Sequence, residues 1–194
     1  MSHLARKNVI YLGPFSFPDG GAGARRILGN CKALIAAGAA VSIGSGQMKK
    51  DDEEFFIYEG VKVFSLGERN AEHLPSIVKH LSYITMGKST IRWLDSLEKK
   101  PDAVILYSGY SPYLIRLIPW ARKNGVRLIF DAVEWYDPPS MLAALSPYYL
   151  NIELAMRLLL PKVRHIVAIS SYLDVHYRKK GCSTFVVPPL IDCT

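Results

Sequence analysis

The stretch Phe17-Pro18-Asp19-Gly20-Gly21-Ala22-Gly23-Ala24-Arg25-Arg26 decides the fold, because this glycine-rich turn joins an apolar run to a helix. Residues 8–13 predict a short buried strand before it, and apolar residues recur at helical spacing from Ile27 to Ile35 after it. Gly20 and Gly21 tolerate positive φ and let a ligand approach the backbone, while the first helical N–H groups lack partners within the helix. The stretch is therefore either an anion-binding turn or a plain strand-to-helix turn with two solvated arginines.

Arg25 and Arg26 lie in the first turns of this helix, where the helix dipole favours acidic side chains instead. Their position suggests that they meet an external negative charge, such as a phosphate bound at the helix N-terminus. Consecutive helical side chains diverge by about 100°, so we expect only one of the two arginines to point into a cleft.

Apolar strands alternate with helical patterns along the whole chain. After the first strand, further strands are predicted near 40–43, 61–66, 103–107, 127–133, 165–170 and 184–187, with an exposed loop or edge hairpin at 51–60. Helices are predicted at 75–99, with Gly87 as a candidate kink, from the end of the segment 108–113 to 124, across 140–162 and at 172–180. The fold class is therefore α/β: one domain with a doubly wound, mostly parallel sheet of about seven strands and helices on both faces.

Polar side chains follow two of the predicted strands. Asp131, Glu134 and Asp137 come at or after the end of the fifth strand, and Ser108 and Tyr110 follow the fourth. Open α/β sheets bind ligands at the carboxyl ends of their strands, so these residues predict a polar site at that edge. The alternative is that Asp131 caps a loop and Asp137 begins a turn before proline, which leaves Glu134 as the free carboxylate.

Composition leaves several partners open. The 194 residues carry 24 Lys plus Arg against 17 Asp plus Glu, for a net charge of +7, but the basic residues are spread in pairs. A membrane surface or an anionic substrate fits this charge. The region 148–160, which is rich in tyrosine and leucine, also suggests a peripheral membrane contact. No motif of interleaved basic and aromatic residues is present, so no nucleic acid partner is predicted.

Cysteine and histidine usage points to neither a disulfide nor a metal site. The cysteines Cys31, Cys182 and Cys193 form no C-x-x-C pair, and the five histidines show no paired-ligand spacing, so they are predicted to be structural or at the surface. No secretory signal peptide is predicted, and the longest uncharged stretches are broken by glycine, proline or polar residues. We therefore predict a cytoplasmic protein that is soluble or at most peripherally associated with a membrane.

The glycine turn is not a dinucleotide fingerprint. That motif needs a third glycine where Arg26 stands, and an acidic residue about 20 residues further on, whereas 40–47 contains none.

The chain resembles the N-terminal domain of a GT-B fold glycosyltransferase of the large retaining family four, also called group 1. The resemblance rests on the glycine turn and on Gly38-Ala39-Ala40-Val41, where the family often has Gly-His-Glu-Val. It also rests on Ile169-Ser170-Ser171-Tyr172-Leu173 and on Val186-Val187-Pro188-Pro189-Leu190-Ile191-Asp192, which is similar to the family's Pro-Asn-x-x-Asp exit into the linker. The similarity spans essentially the whole chain.

The resemblance implies a Rossmann-like N-terminal domain over residues 1–187 and the start of an interdomain linker at 188–194. The family's Glu-x7-Glu donor motif has no counterpart after Asp192, so a C-terminal donor-binding domain is expected in cis or in trans. The implied reaction moves a sugar, with retention, from a nucleotide-sugar to a glycan or lipid-linked acceptor, as in polysaccharide biosynthesis. The donor is a substrate, and no other cofactor is expected. The chain is expected to be inactive alone, which leaves its standing as an enzyme open.

The resemblance also implies roles for individual residues. Gly20 and Gly21 would approach the donor phosphates or the acceptor, and either Arg25 or Arg26 would supply a basic group. The predicted catalytic carboxylates are Asp131 and Glu134, where many members place a histidine or acidic residue near the reacting sugar, and Asp19, directly before the glycines. Ser108 and Tyr110 would bind substrate. The alternative is a non-catalytic Rossmann-like nucleotide-binding or scaffold module.

Overall fold

The computed structural model of the chain describes residues 6–48, 53–68, 84–108, 110–135 and 140–189. The strands in these ranges are β1 (Asn8–Leu12), β2 (Ala40–Ser45), β3 (Phe56–Tyr58), β4 (Val61–Ser65), β5 (Ala103–Tyr107), β6 (Arg127–Ala132), β7 (His165–Ala168) and β8 (Ser183–Val186). They form one eight-stranded sheet in the order β3-β4-β2-β1-β5-β6-β7-β8. The order reverses direction on either side of β1, which is the mark of a doubly wound sheet.

Every neighbouring pair is parallel except β3 and β4. Glu59 and Gly60 join those two strands and both have positive φ, at 45° and 81°. Two such residues give a hairpin turn whose twist matches that of its strands, which makes β3 an antiparallel edge strand. The predicted α/β class and mostly parallel sheet are confirmed. For the segment 51–60 the sequence allowed a loop or an edge hairpin, and the described residues 53–60 belong to a hairpin.

The helices lie between successive parallel strands. They are α1 (Gly21–Ala36), α2 (Lys88–Ser96), α3 (Ser111–Lys123), α4 (Met141–Ala144), α5 (Pro147–Glu153) and α6 (Ser171–Arg178), and α5 continues as a π-helix at Leu154–Leu159 and a 3-10 turn at Leu160–Lys162. Gly87 stands directly before α2 with φ 90°, a conformation that interrupts a helix, so the kink predicted there is a break. The carboxylate of Glu68 accepts hydrogen bonds from the backbone N–H groups of Gly87 and Thr90 and so caps α2. The first part of the helix predicted at 75–99 lies outside the described residues.

The sheet separates two apolar cores. Ile10, Leu12, Val104 and Leu106 point to the face covered by α2, α3, the π-helix and α6. Val9, Tyr11 and Ile105, which alternate with them, point to the face covered by α1. Alternate residues of a strand face opposite sides, so strands buried on both faces read as continuous apolar runs, and helices pack on both faces.

Two further features bear on the sequence-based expectations. Cys31 and Cys182 are buried and unpaired, and Cys193 lies outside the described residues. Within the described ranges, none of the helices is both long and apolar enough to cross a lipid bilayer.

Candidate functional site

The glycine turn lies at the C-terminal edge of the sheet, between β1 and α1. Gly20 precedes α1, and a Cβ atom added to it would lie 2.1 Å from the carbonyl oxygen of Ser16. A Cβ on Gly23 would lie 2.8 Å from the hydroxyl of Tyr107 at the end of β5. Real Cβ atoms do not come so close to a backbone oxygen, so the turn needs glycine at position 20. At position 23 a Cβ atom would require the Tyr107 side chain to shift.

The N-terminus of α1 is open to solvent. Among the described residues no side chain caps it, and its first turn holds no acidic residue. Asp19, Gly21 and Arg25 are exposed around it, and Gly21 has φ 61° with nothing within 4 Å of a Cβ placed there. The unpaired N–H groups and the positive end of the helix dipole can therefore receive an anion, with Arg25 as the nearby cation on the surface.

Arg26 points the other way, into the protein, and pairs with Asp131 of β6. Its Nη2 donates to Oδ1 at 2.8 Å and its Nε donates to Oδ2 at 3.1 Å. The Arg26 side chain is 5% exposed and that of Asp131 is 0% exposed. This is a bidentate, charge-assisted pair, so the charge of Arg26 is met by a carboxylate of the chain itself.

The same guanidinium holds the segment that follows β8. Arg26 Nη1 donates to the carbonyl oxygens of Val187 at 3.0 Å and Pro188 at 3.3 Å. Burial opposes the charge of Arg26, but the hydrogen bonds and the negative charge of Asp131 outweigh it and raise the pKa of the guanidinium. Arg26 therefore ties α1 to β6 and to the chain leaving the sheet.

Two residues that the sequence did not single out complete this cluster. The Tyr11 hydroxyl donates to Asp131 Oδ2, and Asn30 Nδ2 donates to the Tyr11 oxygen at 3.1 Å. Burial and the negative charge of Asp131 raise the pKa of Tyr11 well above its usual value, so the phenol stays protonated and remains a donor. Asn30 lies four residues after Arg26, on the same face of α1, which is the signal that could have identified it. Tyr11, Arg26, Asn30 and Asp131 are called the buried cluster below.

A second group of predicted residues meets on the opposite face of the sheet. Ser108, Tyr110 and Glu134 line a small cavity whose remaining walls are apolar, formed by Phe130, Val133, Ile152, Ala155, Met156 and Leu160. Ser108 has φ 54°, the left-handed conformation, where the chain turns from β5 toward α3. Glu134 is exposed, whereas Ser108 and Tyr110 are half-buried. Burial and the charges of Asp131 and Glu134 raise the pKa of the neighbouring Tyr107.

The structure thus divides the predicted site residues into three groups. Asp19, Gly20, Gly21 and Arg25 surround the open N-terminus of α1, while Ser108, Tyr110 and Glu134 share the small cavity. Arg26 and Asp131 are paired in the buried cluster, and their assignment as binding and catalytic residues stays a prediction. Asp137 lies outside the described residues. Within the described ranges no cluster of three or more His, Cys, Asp or Glu side chains is placed to hold a metal ion.

A doubly wound sheet with an open glycine turn at its C-terminal edge defines the Rossmann-like class of α/β domain. Residues 21–189, most of the chain, match the family described as glycosyl transferase 4-like domain. The chain belongs to this glycosyl transferase 4-like family. Comparison by sequence with curated proteins found no significant match.

Several solved structures align with nearly the whole of this chain. Sucrose-phosphate synthase from Thermosynechococcus elongatus aligns with TM-score 0.61 and 10% identity, over 94% of this chain and 48% of that one. A structure described as trehalose-6-phosphate from E. coli bound with UDP-2-fluoro glucose aligns with TM-score 0.58 and 15% identity, over 95% and 49%. WaaG, a glycosyltransferase involved in lipopolysaccharide biosynthesis, aligns with TM-score 0.54 and 11% identity, over 95% and 46%.

The family match and these structures confirm the resemblance to the N-terminal domain of a GT-B glycosyltransferase. At 10–15% identity the structures establish the fold alone. The chain spans about half the length of each of these three proteins.

Proposed function

We propose that this chain is the N-terminal half of a retaining glycosyltransferase that moves a sugar from a nucleotide-sugar to a glycan or lipid-linked acceptor, as in polysaccharide biosynthesis. A C-terminal donor-binding domain, in cis or in trans, completes the site, and the chain alone is inactive. The nucleotide-sugar is the donor substrate, and no further cofactor takes part. The protein works in the cytoplasm, with a peripheral membrane contact.

The observation that carries this proposal is the open N-terminus of α1 in a chain of the glycosyl transferase 4-like family. When a glycosidic bond to a nucleoside diphosphate breaks, negative charge accumulates on the leaving phosphate. Backbone N–H groups aimed at that charge stabilise the transition state more than the ground state, because the charge is larger there. Gly20 and Gly21 let the phosphate approach these groups, and Arg25 adds a mobile positive charge at the surface.

The acceptor is proposed to bind between the glycine turn and the small cavity. The exposed carboxylates Glu134 and Asp19 can reach an acceptor hydroxyl and orient it, and Ser108 and Tyr110 can donate hydrogen bonds to a sugar ring. Asp131 has both oxygens engaged by Tyr11 and Arg26, so we assign it a positioning role at the base of the site. The Arg26 pair then fixes the height of α1 against β6, which sets where the glycine turn lies.

The test combines the chain with a C-terminal domain encoded further along the same or an adjacent reading frame, and assays transfer from labelled nucleotide-sugars. We expect transfer with both halves and none with either half alone. Arg25→Ala should lower transfer, whereas Lys123→Ala, an exposed cation in the last turn of α3 at the opposite edge of the sheet, should not. If the combined halves neither transfer sugar nor associate with each other, the proposal is overturned.

The alternative, a non-catalytic nucleotide-binding or scaffold module, is tested by titrating the isolated chain with NAD, NADP and several nucleotide-sugars. Because the donor is proposed to bind mainly to the second domain, we expect weak binding of all of them. Tight binding of a dinucleotide would favour the alternative and contradict the transferase proposal.

A further inference from the structure

The connection from β6 to β7 exposes an unusual amount of apolar surface. Between residues 141 and 158, seven large apolar side chains are exposed, from 37% at Leu154 to 90% at Met141. They are Met141, Leu142, Leu145, Tyr148, Leu150, Leu154 and Leu158, and they are called the apolar ridge below. Single exposed apolar residues are normal on a protein surface, but a contiguous run of them marks an interaction site.

The ridge is a second apolar face on a segment whose first apolar face is already buried. Leu150, Leu154 and Leu158 follow one another at intervals of four residues, so they lie along one side of the helical segment. The core contacts are made by other residues, namely Ile152, Ala155, Met156 and Leu160. A helix that is apolar on both sides needs a second apolar environment besides the protein core.

The C-terminal end of the ridge runs into a strongly basic groove. Four residues after Leu158, Lys162 lines a groove of about 1170 Å³ at the N-terminal edge of the sheet. Six cationic side chains line it, and they are called the cationic groove below: Lys7, Lys100, Arg122, Arg127, Lys162 and Arg164. Asp102 is the acidic residue of this lining, and Lys7 neutralises it at 3.0 Å.

Two basic side chains, Arg122 of the cationic groove and Lys180 outside it, donate hydrogen bonds to the end of the ridge segment. Arg122 Nη2 donates to the carbonyl oxygen of Lys162 at 3.3 Å, and Lys180 Nζ donates to that of Arg157 at 3.2 Å. The carboxylate of Glu153, within the same segment, pairs with Arg157. The end of the ridge, at Leu158, therefore stands next to a surface of net positive charge.

We propose that the apolar ridge and the cationic groove together dock this chain on the surface of an anionic lipid bilayer. Interfacial helical segments bind bilayers by burying an apolar face at the level of the headgroups while basic residues attract anionic lipids. The ridge supplies the first element and the groove the second, with lipid phosphates as its ligands. The segment lies on the membrane and does not cross it.

This inference rests on the membrane contact of the proposed function and assigns it a surface; it uses nothing of the transfer reaction. The test measures co-sedimentation of the full chain with vesicles of phosphatidylcholine, with or without phosphatidylserine, at low and at high salt. No donor sugar or second domain is present, so failure here leaves the transferase proposal standing. We expect binding to the phosphatidylserine vesicles that weakens at high salt.

Two sets of variants separate the elements. Leu142→Gln combined with Leu145→Gln should weaken vesicle binding by about tenfold or more, because burial of one leucine side chain is worth at least that factor. Lys162→Gln should weaken binding about fivefold on anionic vesicles only, the value of one basic residue near such a surface. The matched control is Ile57→Gln, since Ile57 is 66% exposed on β3, away from both elements, and it should bind as the natural chain does.

The ridge leucines are exposed, so their replacement should leave the urea midpoint unchanged, which separates lost binding from lost folding. Failure of the natural chain to bind anionic vesicles at low salt would overturn the proposal, and so would equal loss of binding in the Ile57→Gln control. Unchanged vesicle binding in the leucine variant, together with its conversion from a dimer to a monomer in size-exclusion chromatography, would show that a second copy covers the ridge, and would also overturn it.

Discussion

Replacing Asp131 with asparagine tests whether the buried cluster holds the sheet edge together. The substitution keeps the shape of the side chain and removes its charge, which leaves the guanidinium of Arg26 buried without a carboxylate. Removing one partner of a buried ion pair costs about 3–5 kcal/mol, because the remaining charge has lost its compensation. That is a large part of the about 5–15 kcal/mol that stabilises a typical domain.

The assay is urea unfolding followed by circular dichroism. With a slope of about 2 kcal/mol per M, the expected loss lowers the midpoint by about 1.5–2.5 M. Glu134→Gln is the matched control, since it removes a carboxylate that is exposed three residues further along, and its midpoint should stay within about 0.3 M. The double variant Arg26→Met with Asp131→Asn should lose less free energy of unfolding than the two single variants summed, because neither charge is then left alone.

The result that refutes this reasoning is a midpoint for Asp131→Asn equal to that of Glu134→Gln. The same variant also separates the positioning role of Asp131 from a catalytic one. A catalytic carboxylate would give a chain of natural stability that loses transfer in the presence of the second domain, whereas a positioning residue loses stability first.

Three further predictions concern the glycine turn, the thiols and pH. Gly20→Ala should lower the melting temperature by far more than Gly21→Ala, because a Cβ at Gly20 meets the Ser16 carbonyl oxygen at 2.1 Å while one at Gly21 meets nothing and costs about 1 kcal/mol through its positive φ; equal shifts would contradict the tight turn. Burial raises the pKa of Cys31 to about 12, so its thiol should react with a thiol reagent only after urea unfolding, and fast labelling of the native chain would contradict this placement. Burial and nearby lysine and arginine charges lower the pKa of His176 below 6.5. The unfolded chain then binds the proton more readily, so the free energy of unfolding should fall as the pH drops below about 6.5. His176→Gln should flatten that part of the curve of unfolding free energy against pH.

The architecture of the sheet could be predicted because its central parallel strands, such as β1 and β5, are buried on both faces. Such strands appear as continuous apolar runs, whereas the helices between them have apolar residues at helical spacing. The two patterns are therefore easy to tell apart in the sequence. The strand that the sequence did not clearly predict, β3, is only three residues long and lies at the edge of the sheet with an exposed Ile57. An edge strand needs little apolar content, which is why the sequence left the choice between a loop and a hairpin open.

The sequence could not show which way each arginine points. Consecutive helical side chains diverge by about 100°, so the sequence predicted that only one of Arg25 and Arg26 points into a cleft. Which one does so depends on how α1 is rotated about its own axis against β6, and that rotation is set by contacts between residues far apart in the sequence. Asp131 lies 105 residues from Arg26, and neither side chain alone reveals that the other will neutralise it. Tyr11, in the middle of an apolar strand, reads as an ordinary core residue until its hydroxyl is seen to donate to Asp131.

The hydrogen bonds from Arg26 to the carbonyl oxygens of Val187 and Pro188 have a consequence for any domain attached after them. They fix the start of the following segment beside α1, the helix whose N-terminus forms the glycine turn. A short linker from a fixed point confines the attached domain to a small volume. Its effective concentration at the edge of the sheet is then in the millimolar range. A second domain joined there would therefore meet the open edge of the sheet often, even if its own affinity for that edge were weak. Loosening this anchor with Arg26→Met would lower the frequency of that encounter.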